Sequence, residues 1–168
     1  FTNALQWQIL EKDIPVVMRY LADQGLAEPT VALRLGRHQY VSPSRVHHLT
    51  TYRFGDEELT PEWKSLGAWS VRCANFGSGM INDWYDEHES LPDDLLPSDI
   101  CLLSSSPDND NPQYHYNMSV SKQADVVVCS HASLAMTLLN PNVVNDFSVI
   151  VIDEADRFED AASRLTRR

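Results

Sequence analysis

The 168-residue sequence predicts an α/β fold in which part of a parallel sheet is interrupted by a mainly helical region. Two observations support this class. Short apolar runs rich in Val and Ile, at 125–129 and 147–153, are separated by a helical pattern over 131–139, which is typical of parallel strands buried on both faces. From Cys73 to Ser121 the chain has no Lys or Arg but many acidic residues, and this change of composition indicates a separate region.

The first part of the chain predicts a long helix and then a short strand. Over residues 4–23, apolar residues recur near helical spacing, and Pro15 is expected to kink or split the helix. Residues 30–35 contain Thr, Val and Leu and are followed by Gly36, so they predict a strand that ends there.

The middle of the chain predicts several small helices. Residues 43–90 carry short amphipathic stretches, and we expect aromatic side chains to fill the core between them. The composition of residues 104–113 predicts a loop, after which we expect a strand at 125–129, a helix at 131–139 and a second strand at 147–153. The aromatic residues expected in the helical core are Trp63, Trp69, Phe76, Trp84 and Tyr85.

The overall composition excludes several classes of protein. The formal net charge is −11, which argues against a chain that binds nucleic acid over its whole surface. No run of 18 apolar residues occurs, so we expect no membrane span. Three widely spaced cysteines favour reduced thiols in a cytoplasmic protein. The chain starts at Phe1 without a signal peptide, and we expect it to be an excerpt from a longer protein.

Two carboxylates stand side by side where the second apolar run ends. Asp153 and Glu154 follow "FSVIVI" and precede a helical pattern. Nucleoside triphosphatases place one carboxylate beyond a strand end for Mg²⁺ and the next one to activate water. A helix start with Asp153 as N-cap is the simpler interpretation. The continuous apolar run and the small Ala155 favour the catalytic one.

Four segments in the same order resemble the DinG/XPD branch of the superfamily 2 DNA helicases. "VIVIDEADRFEDAA" resembles the DEAD/DEAH box of motif II, and "ADVVVCSHASL" resembles the segment just upstream of it. "TNALQWQILEKDIP" resembles motif Ia, and "LRLGRHQYVSPSR" resembles the segment that opens the family's iron–sulfur domain. The matches lie towards both ends of the chain, and residues 46–118 carry none.

The resemblance implies an ATP-dependent DNA helicase that moves 5′→3′ on single-stranded DNA and unwinds duplexes. Residues 1–35 and 119–168 would belong to the first motor domain, which is a partial RecA-like parallel sheet. Residues 36–118 would form an inserted, mainly helical accessory domain.

The resemblance also implies roles for individual residues. Asp153 would help to bind Mg²⁺, Glu154 would activate water for hydrolysis of ATP, and Asp156 would link the nucleotide site to other motifs. Contacts with single-stranded DNA would come from motif Ia, from a basic and aromatic cluster, and from the start of the helix at 131–139. These expected contacts are Thr2, Asn3, Gln6, Arg34, Arg37, His38, Tyr40, Arg45, Ser130 and His131.

Some of these expected contacts also have simpler interpretations. Arginine on phosphate and tyrosine on a base are usual pairs in single-strand binding, but the same cluster could be a solvated loop. Ser130 is a plausible N-cap. His131 would contact either the DNA path or the internal connections of the motor.

The chain departs from the family's pattern at two sites. No G-x-x-x-x-G-K-[ST] loop occurs, so the chain lacks a cradle for the triphosphate and is expected to be inactive in isolation. A four-iron cluster needs four thiolates, but Ser42 stands where the family has its first cysteine and Cys101 could match the second. Cys129 is expected to be a small buried residue, and Cys73 lies outside the pattern. We therefore expect no iron–sulfur cluster.

A DinG-like chain without its cluster resembles the CRISPR-associated DinG of type IV systems. That resemblance implies a role in defence against mobile DNA, with a CRISPR ribonucleoprotein complex as a further partner. A hypothesis from a different class is a non-catalytic acidic module of helicase ancestry that binds protein or nucleic acid. A phosphate-binding loop upstream of this chain would favour the helicase.

Overall fold

The computed structural model of the protein describes residues 3–107, 109–139 and 147–166. Contacts divide the chain into a first unit, residues 1–35 with 118–168, and a second unit, residues 36–117. In the described part of the chain, no helix has the length and apolar character that crossing a bilayer requires. In chain order the elements are α1 (Asn3–Gln8), a π-helical turn (Ile9–Asp13), α2 (Ile14–Asp23), β1 (Val31–Arg34), a 3₁₀ turn (Arg37–Gln39), α3 (Pro43–Phe54), α4 (Pro61–Phe76), α5 (Asn82–Glu87), a second 3₁₀ turn (Pro92–Asp94), α6 (Pro97–Ile100), α7 (Pro112–Gln123), β2 (Val126–Cys129), α8 (His131–Leu139) and α9 (Ala155–Thr166).

The first unit contains a two-stranded parallel sheet. β1 pairs with β2 in a register that runs from Val31 opposite Val126 to Arg34 opposite Cys129. The predicted α/β class with a parallel sheet is therefore confirmed. The two paired strands are separated in the sequence by the whole of the second unit.

A reciprocal pair of polar residues starts this sheet. The Thr30 N–H and hydroxyl donate to Asp125 Oδ2 at 2.8 and 2.7 Å, and the Asp125 N–H donates back to Thr30 Oγ1 at 3.0 Å. These hydrogen bonds from Thr30 lower the pKa of the Asp125 carboxyl because they stabilise its charged form. The pair also fixes the strand register, since a slip of one residue would separate both partners.

The expected break in the first helix takes the form of a π-helical turn. This turn occupies Ile9–Asp13, and Pro15 then lies in the first turn of α2. Pro15 has no N–H to donate, so the usual i→i−4 hydrogen bond is missing at this point and the helix widens before it.

The prediction of a second apolar strand at 147–153 is wrong. Residues 147–152 form no strand, and the side chains of Val149 and Val151 are 76% and 87% exposed. A strand needs a partner for its backbone ladder, and the described sheet consists of β1 and β2 alone. The Val/Ile run supplies β-propensity, but propensity without a partner does not order a strand.

The second unit is built around buried tryptophans, and its mainly helical character is confirmed. Trp63, Trp69 and Trp84 are at most 3% exposed, and Trp69 and Trp84 meet edge-on with ring centroids 5.2 Å apart. Helix α4, which is capped by Thr60, carries Trp63 and Trp69, and helix α5 carries Trp84. Apolar residues around these rings complete one core: Val41, Val46, Leu66, Cys73, Ala74, Ile81, Leu91, Ile100 and Cys101.

Two aromatic residues predicted for this core lie outside it. Phe76 is 86% exposed and Tyr85 is 42% exposed. Phe76 is the last residue of α4 and stands beyond the last buried turn. Tyr85 follows the buried Trp84, and adjacent residues on a helix point about 100° apart. The core therefore depends on the tryptophans and aliphatic residues.

Candidate functional site

The DEAD segment, Asp153–Asp156, lies at the start of α9. Asp153, Glu154 and Asp156 have exposed side chains. Asp153 Oδ1 accepts a hydrogen bond from the N–H of the very next residue at 2.9 Å, which differs from the N-cap predicted by the simpler interpretation. The helix instead opens at Glu154, whose carbonyl accepts from the Arg157 N–H at 2.9 Å. The Asp153 carboxylate therefore keeps an exposed oxygen beside the helix start.

Glu154 has an unusual backbone and a cationic neighbour. Its φ is +47°, in the left-handed region that residues with a side chain rarely adopt. Its Oε2 lies 3.3 Å from the Arg157 guanidinium, an ion pair between exposed side chains that water screens strongly. The Glu154 carboxylate thus remains accessible to a ligand, although its backbone is constrained.

The start of α8 lies against the DEAD segment. Ser130 caps α8, since its Oγ accepts from the Ser133 N–H at 3.2 Å. The ring of His131, the next residue, donates from Nε2 to the Asp153 carbonyl at 2.8 Å. The same ring meets Phe158 of α9 edge-on at 5.8 Å. The structure therefore brings Ser130 and His131 together with the expected catalytic carboxylates.

The three residues expected from motif Ia differ in their structural positions. Thr2 lies outside the described residues. Asn3 begins α1. Gln6 is 1% exposed, and its amide has no hydrogen-bond partner among the described residues. A side chain this deeply buried offers no surface to DNA, so the predicted contact at Gln6 is corrected.

Arg34 serves the fold of the first unit. It is 4% exposed and donates to Ser121 Oγ at 3.0 Å and Thr137 Oγ1 at 3.3 Å. These hydrogen bonds tie β1 to α7 and to α8. The predicted phosphate contact at Arg34 is therefore wrong for this structure, because the guanidinium is covered.

The rest of the basic cluster lies in the second unit, and its members differ in exposure. Tyr40 is 1% exposed, so its ring has no face open to stack on a base. Arg45 donates to the carbonyls of Ser98 and Asp99 at 2.9 and 3.0 Å. The prediction for Tyr40 is thus wrong, and Arg45 is committed mainly to α6.

Two members of the cluster remain accessible. Arg37 is half-buried and lies over the Tyr114 ring at 5.2 Å, while it donates to the carbonyls of Ser104 and Ser106 at 3.4 Å. His38 is exposed. These two residues are the part of the cluster that could meet a nucleic acid without rearrangement.

The residues matched to iron ligands lie next to each other. Ser42 is fully buried, its N–H donates to the Ile100 carbonyl at 2.7 Å, and Val41 bridges to Cys101. Burial raises the pKa of the Cys101 thiol to about 12, which disfavours the thiolate that would bind iron. Ser42 hydrogen-bonds the Asp110 carboxylate and caps α3 through the Arg45 N–H.

The remaining thiols are buried to different degrees. Cys73 lies in the core, and burial together with the Asp83 carboxylate raises its pKa to about 12. Cys129 in β2 is partly buried, less than the full burial that its sequence context predicts, and burial also raises its pKa.

Two residues of the second unit escaped prediction because their segment has the composition of a loop. Asp110 accepts hydrogen bonds from Ser42 and from the N–H and hydroxyl of Ser44. Asn111 is fully buried and donates to the carbonyls of Val41 and Gly79 at 2.8 and 2.9 Å. The sequence signal was "DNP" before a helix, since Asp and Asn are favoured capping residues.

The DEAD segment presents exposed carboxylate oxygens. In the described part of the chain, no group of three or more His, Cys, Asp or Glu residues could hold a metal ion. Magnesium in nucleotide sites is held by one or two carboxylates together with water and phosphate oxygens. The exposed carboxylate of Asp153 meets that requirement.

The chain shows distant similarity to known proteins. No protein-family model matches it. It is 26% identical over 185 aligned positions to the ATP-dependent helicase DinG of Mycobacterium tuberculosis (strain H37Ra), and equally to that of Mycobacterium bovis. The alignments cover 98% of the chain and 28% of each relative, so the chain spans little more than a quarter of their length. The similarity supports a helicase ancestry.

Proposed function

We propose that this chain is part of an ATP-dependent DNA helicase that moves 5′→3′ on single-stranded DNA. The observation that carries the proposal is the placement of Asp153 and Glu154, two exposed carboxylates at the start of α9, with the start of α8 packed against them. Four sequence motifs and the distant similarity to DinG agree with this assignment.

The chemistry proposed for the DEAD segment divides between two carboxylates. Asp153 would hold Mg²⁺, which neutralises charge on the phosphates when it is bound. Glu154 would accept a proton from the attacking water. The Arg157 guanidinium lies 3.3 Å from Glu154 Oε2, so a cation stands beside the proposed base. Asp156 would link the site to other motifs of the motor.

Within this proposal the two units have different roles. The first unit, with β1, β2, α8 and α9, is part of the first motor domain, and the accessory domain spans 36–118. Arg37 and His38 are the accessible candidates for contact with single-stranded DNA. The 168-residue chain by itself should show no measurable ATPase, because no phosphate-binding loop occurs in it.

Unwinding assays on the protein that contains this chain test the proposal. A duplex with a 5′ single-stranded tail should be unwound in the presence of ATP and Mg²⁺, and the same duplex with a 3′ tail should not. Single-stranded DNA should stimulate hydrolysis of ATP. Hydrolysis that is indifferent to DNA, or no hydrolysis at all, would favour the non-catalytic interaction module instead.

We also propose that the helicase acts beside a CRISPR ribonucleoprotein complex. Support comes from the serine at the first iron-ligand position and its neighbour Cys101, a thiol that burial keeps protonated. The tagged full-length protein should retain a purified type IV CRISPR ribonucleoprotein complex, and retention should survive nuclease treatment of free DNA. If the helicase unwinds DNA but retains no complex, the CRISPR link fails and the helicase assignment stands.

A further inference from the structure

The peptide group between Asp153 and Glu154 is held from both sides. Its oxygen accepts the hydrogen of His131 Nε2 at 2.8 Å, and its N–H donates to Asp153 Oδ1 at 2.9 Å. A trans peptide group is planar, and its oxygen and hydrogen point in opposite directions. Two hydrogen bonds at opposite edges therefore fix the rotation of the plane, and this rotation sets φ at Glu154.

The conformation imposed on Glu154 is strained. Its φ of +47° places the side chain where it crowds its own backbone, which is why glycine is the usual residue there. Strained backbone persists where surrounding contacts over-determine it, and it is concentrated at functional sites. The direction of the Glu154 carboxylate therefore depends on the contacts that hold the preceding peptide.

The imidazole that makes the outer contact is itself well fixed. Ser130 caps α8 just before His131, so the backbone that carries the ring has a defined start. Phe158 of α9 packs edge-on against the ring, with an interplanar angle of 89°. A carbonyl oxygen can only accept, so Nε2 must carry the hydrogen in this contact.

We infer that His131 is a positioning residue that holds the Asp153–Glu154 peptide in its left-handed conformation and so aims the Glu154 carboxylate. The inference rests on the proposed function, since aiming matters only if that carboxylate acts on water. Without the imidazole the peptide plane is free to turn, and Glu154 relaxes to an ordinary negative φ. A misplacement of about 1 Å can slow turnover about 100-fold.

Four variants of the full-length protein separate the hydrogen bond from the packing of the ring. His131→Ala removes both, His131→Gln keeps an N–H donor, and Phe158→Leu removes only the contact between rings. His48→Ala, at an exposed histidine of α3, is the matched control.

Steady-state kinetics should split in a defined way. For His131→Ala, kcat should fall about 10- to 100-fold, the usual range for residues that orient a catalytic group without touching the substrate. The Kd for ATP in the presence of Mg²⁺ should change less than about threefold, because the lost hydrogen bond affects the chemical step and not the binding of nucleotide. His131→Gln should recover part of kcat, and the other two variants should stay near wild type.

Hydrogen exchange gives a readout that does not need activity. In His131→Ala, backbone amides of 153–158 should exchange faster than in wild type, while those of β2 should be unchanged. If the wild type hydrolyses no ATP, the proposed function fails. The exchange comparison still shows whether His131 holds the Asp153–Glu154 peptide.

Several results would overturn the inference. These are an unchanged kcat in His131→Ala, a loss of ATP affinity as large as the loss of kcat, and unchanged exchange at 153–158. Equal impairment in His131→Gln and Phe158→Leu would assign the effect to ring packing and also reject the inference.

Discussion

Single side chains that bond to backbone groups hold distant segments of this chain together. Asp125 binds the backbone of Thr30 at the start of the sheet, and Asn111 binds two carbonyls in the second unit. His131 binds the carbonyl of Asp153. Where the bonded backbone group is buried, as the Val41 carbonyl is, loss of the side chain leaves that group without a donor, so the replacement costs more than its size suggests.

Glycine should be tolerated better than alanine at residue 154. Glycine adopts positive φ without steric cost, whereas alanine keeps strain of about 1 kcal/mol. We therefore expect Glu154→Gly to be about 1 kcal/mol more stable than Glu154→Ala in urea unfolding. At Ser65, an exposed position inside α4, the order should reverse by about 1 kcal/mol. The same order at both positions would show that residue 154 is not left-handed in solution.

Asp125 should make the stability of the chain sensitive to acid. Its pKa is lowered in the folded state, so the carboxylate stabilises the fold above the unfolded pKa of about 3.9. This stabilisation is lost as the pH falls through the lower folded pKa. Asp125→Asn should therefore be less stable than wild type at pH 7, and the difference should shrink in strong acid. The measurement is the free energy of unfolding of both proteins across pH. If wild type and Asp125→Asn differ by the same amount in strong acid as at pH 7, this linkage is contradicted.

Elements were predictable where local pattern and tertiary partner agree. β2 and α8 lie where the sequence predicts them, because a Val run is followed by a capping serine and helical periodicity. The run at 147–152 carries the same strand signal but stays unpaired and exposed. Strand pairing depends on tertiary contacts, so local β-propensity does not predict it.

The candidate site shows the same division between local and tertiary information. The carboxylates of the DEAD segment are evident from sequence, and so is the capping role of Ser130. The burial of Arg34 and Tyr40 is not evident, because polar residues inside a protein depend on partners distant in sequence. The roles of Asp110 and Asn111 are not evident either, because their segment has the composition of a loop.

The segment around Asn111 should behave as a structural element despite its loop composition. Asn111→Ala leaves the buried Val41 carbonyl without a donor and removes one of the two donors of the Gly79 carbonyl, so we expect a loss of about 2–3 kcal/mol. Asn117→Ala removes one hydrogen bond to the Tyr40 hydroxyl and should cost about 1 kcal/mol. Denaturant midpoints measure both, and equal losses would refute the special role of Asn111.

At the scale of the whole chain, the second unit is an insertion that supplies its own core. The chain leaves the first unit after β1 and returns before β2, and the strands then pair in parallel. The buried residues of the insertion pack on one another. Such an insertion can change its chemistry while the interrupted sheet keeps its register.

The purified protein should carry no iron–sulfur cluster. Ser42 occupies the first ligand position, and burial raises the pKa of the Cys73 and Cys101 thiols to about 12, so thiolates are disfavoured. Protein purified anaerobically from iron-supplemented cells should show no visible absorption beyond that from iron-depleted cells. Brown protein with stoichiometric iron would contradict this expectation.

The account depends most on the ability of the DEAD segment to drive hydrolysis of ATP. The direct measurement compares wild type with Glu154→Gln in the full-length protein, using nucleotide binding and hydrolysis stimulated by single-stranded DNA. We predict that the glutamine variant binds ATP and Mg²⁺ with near-normal affinity but hydrolyses it at least about 100-fold more slowly, because the amide cannot take the proton of water. Hydrolysis at the wild-type rate would remove Glu154 from the site and contradict the central claim.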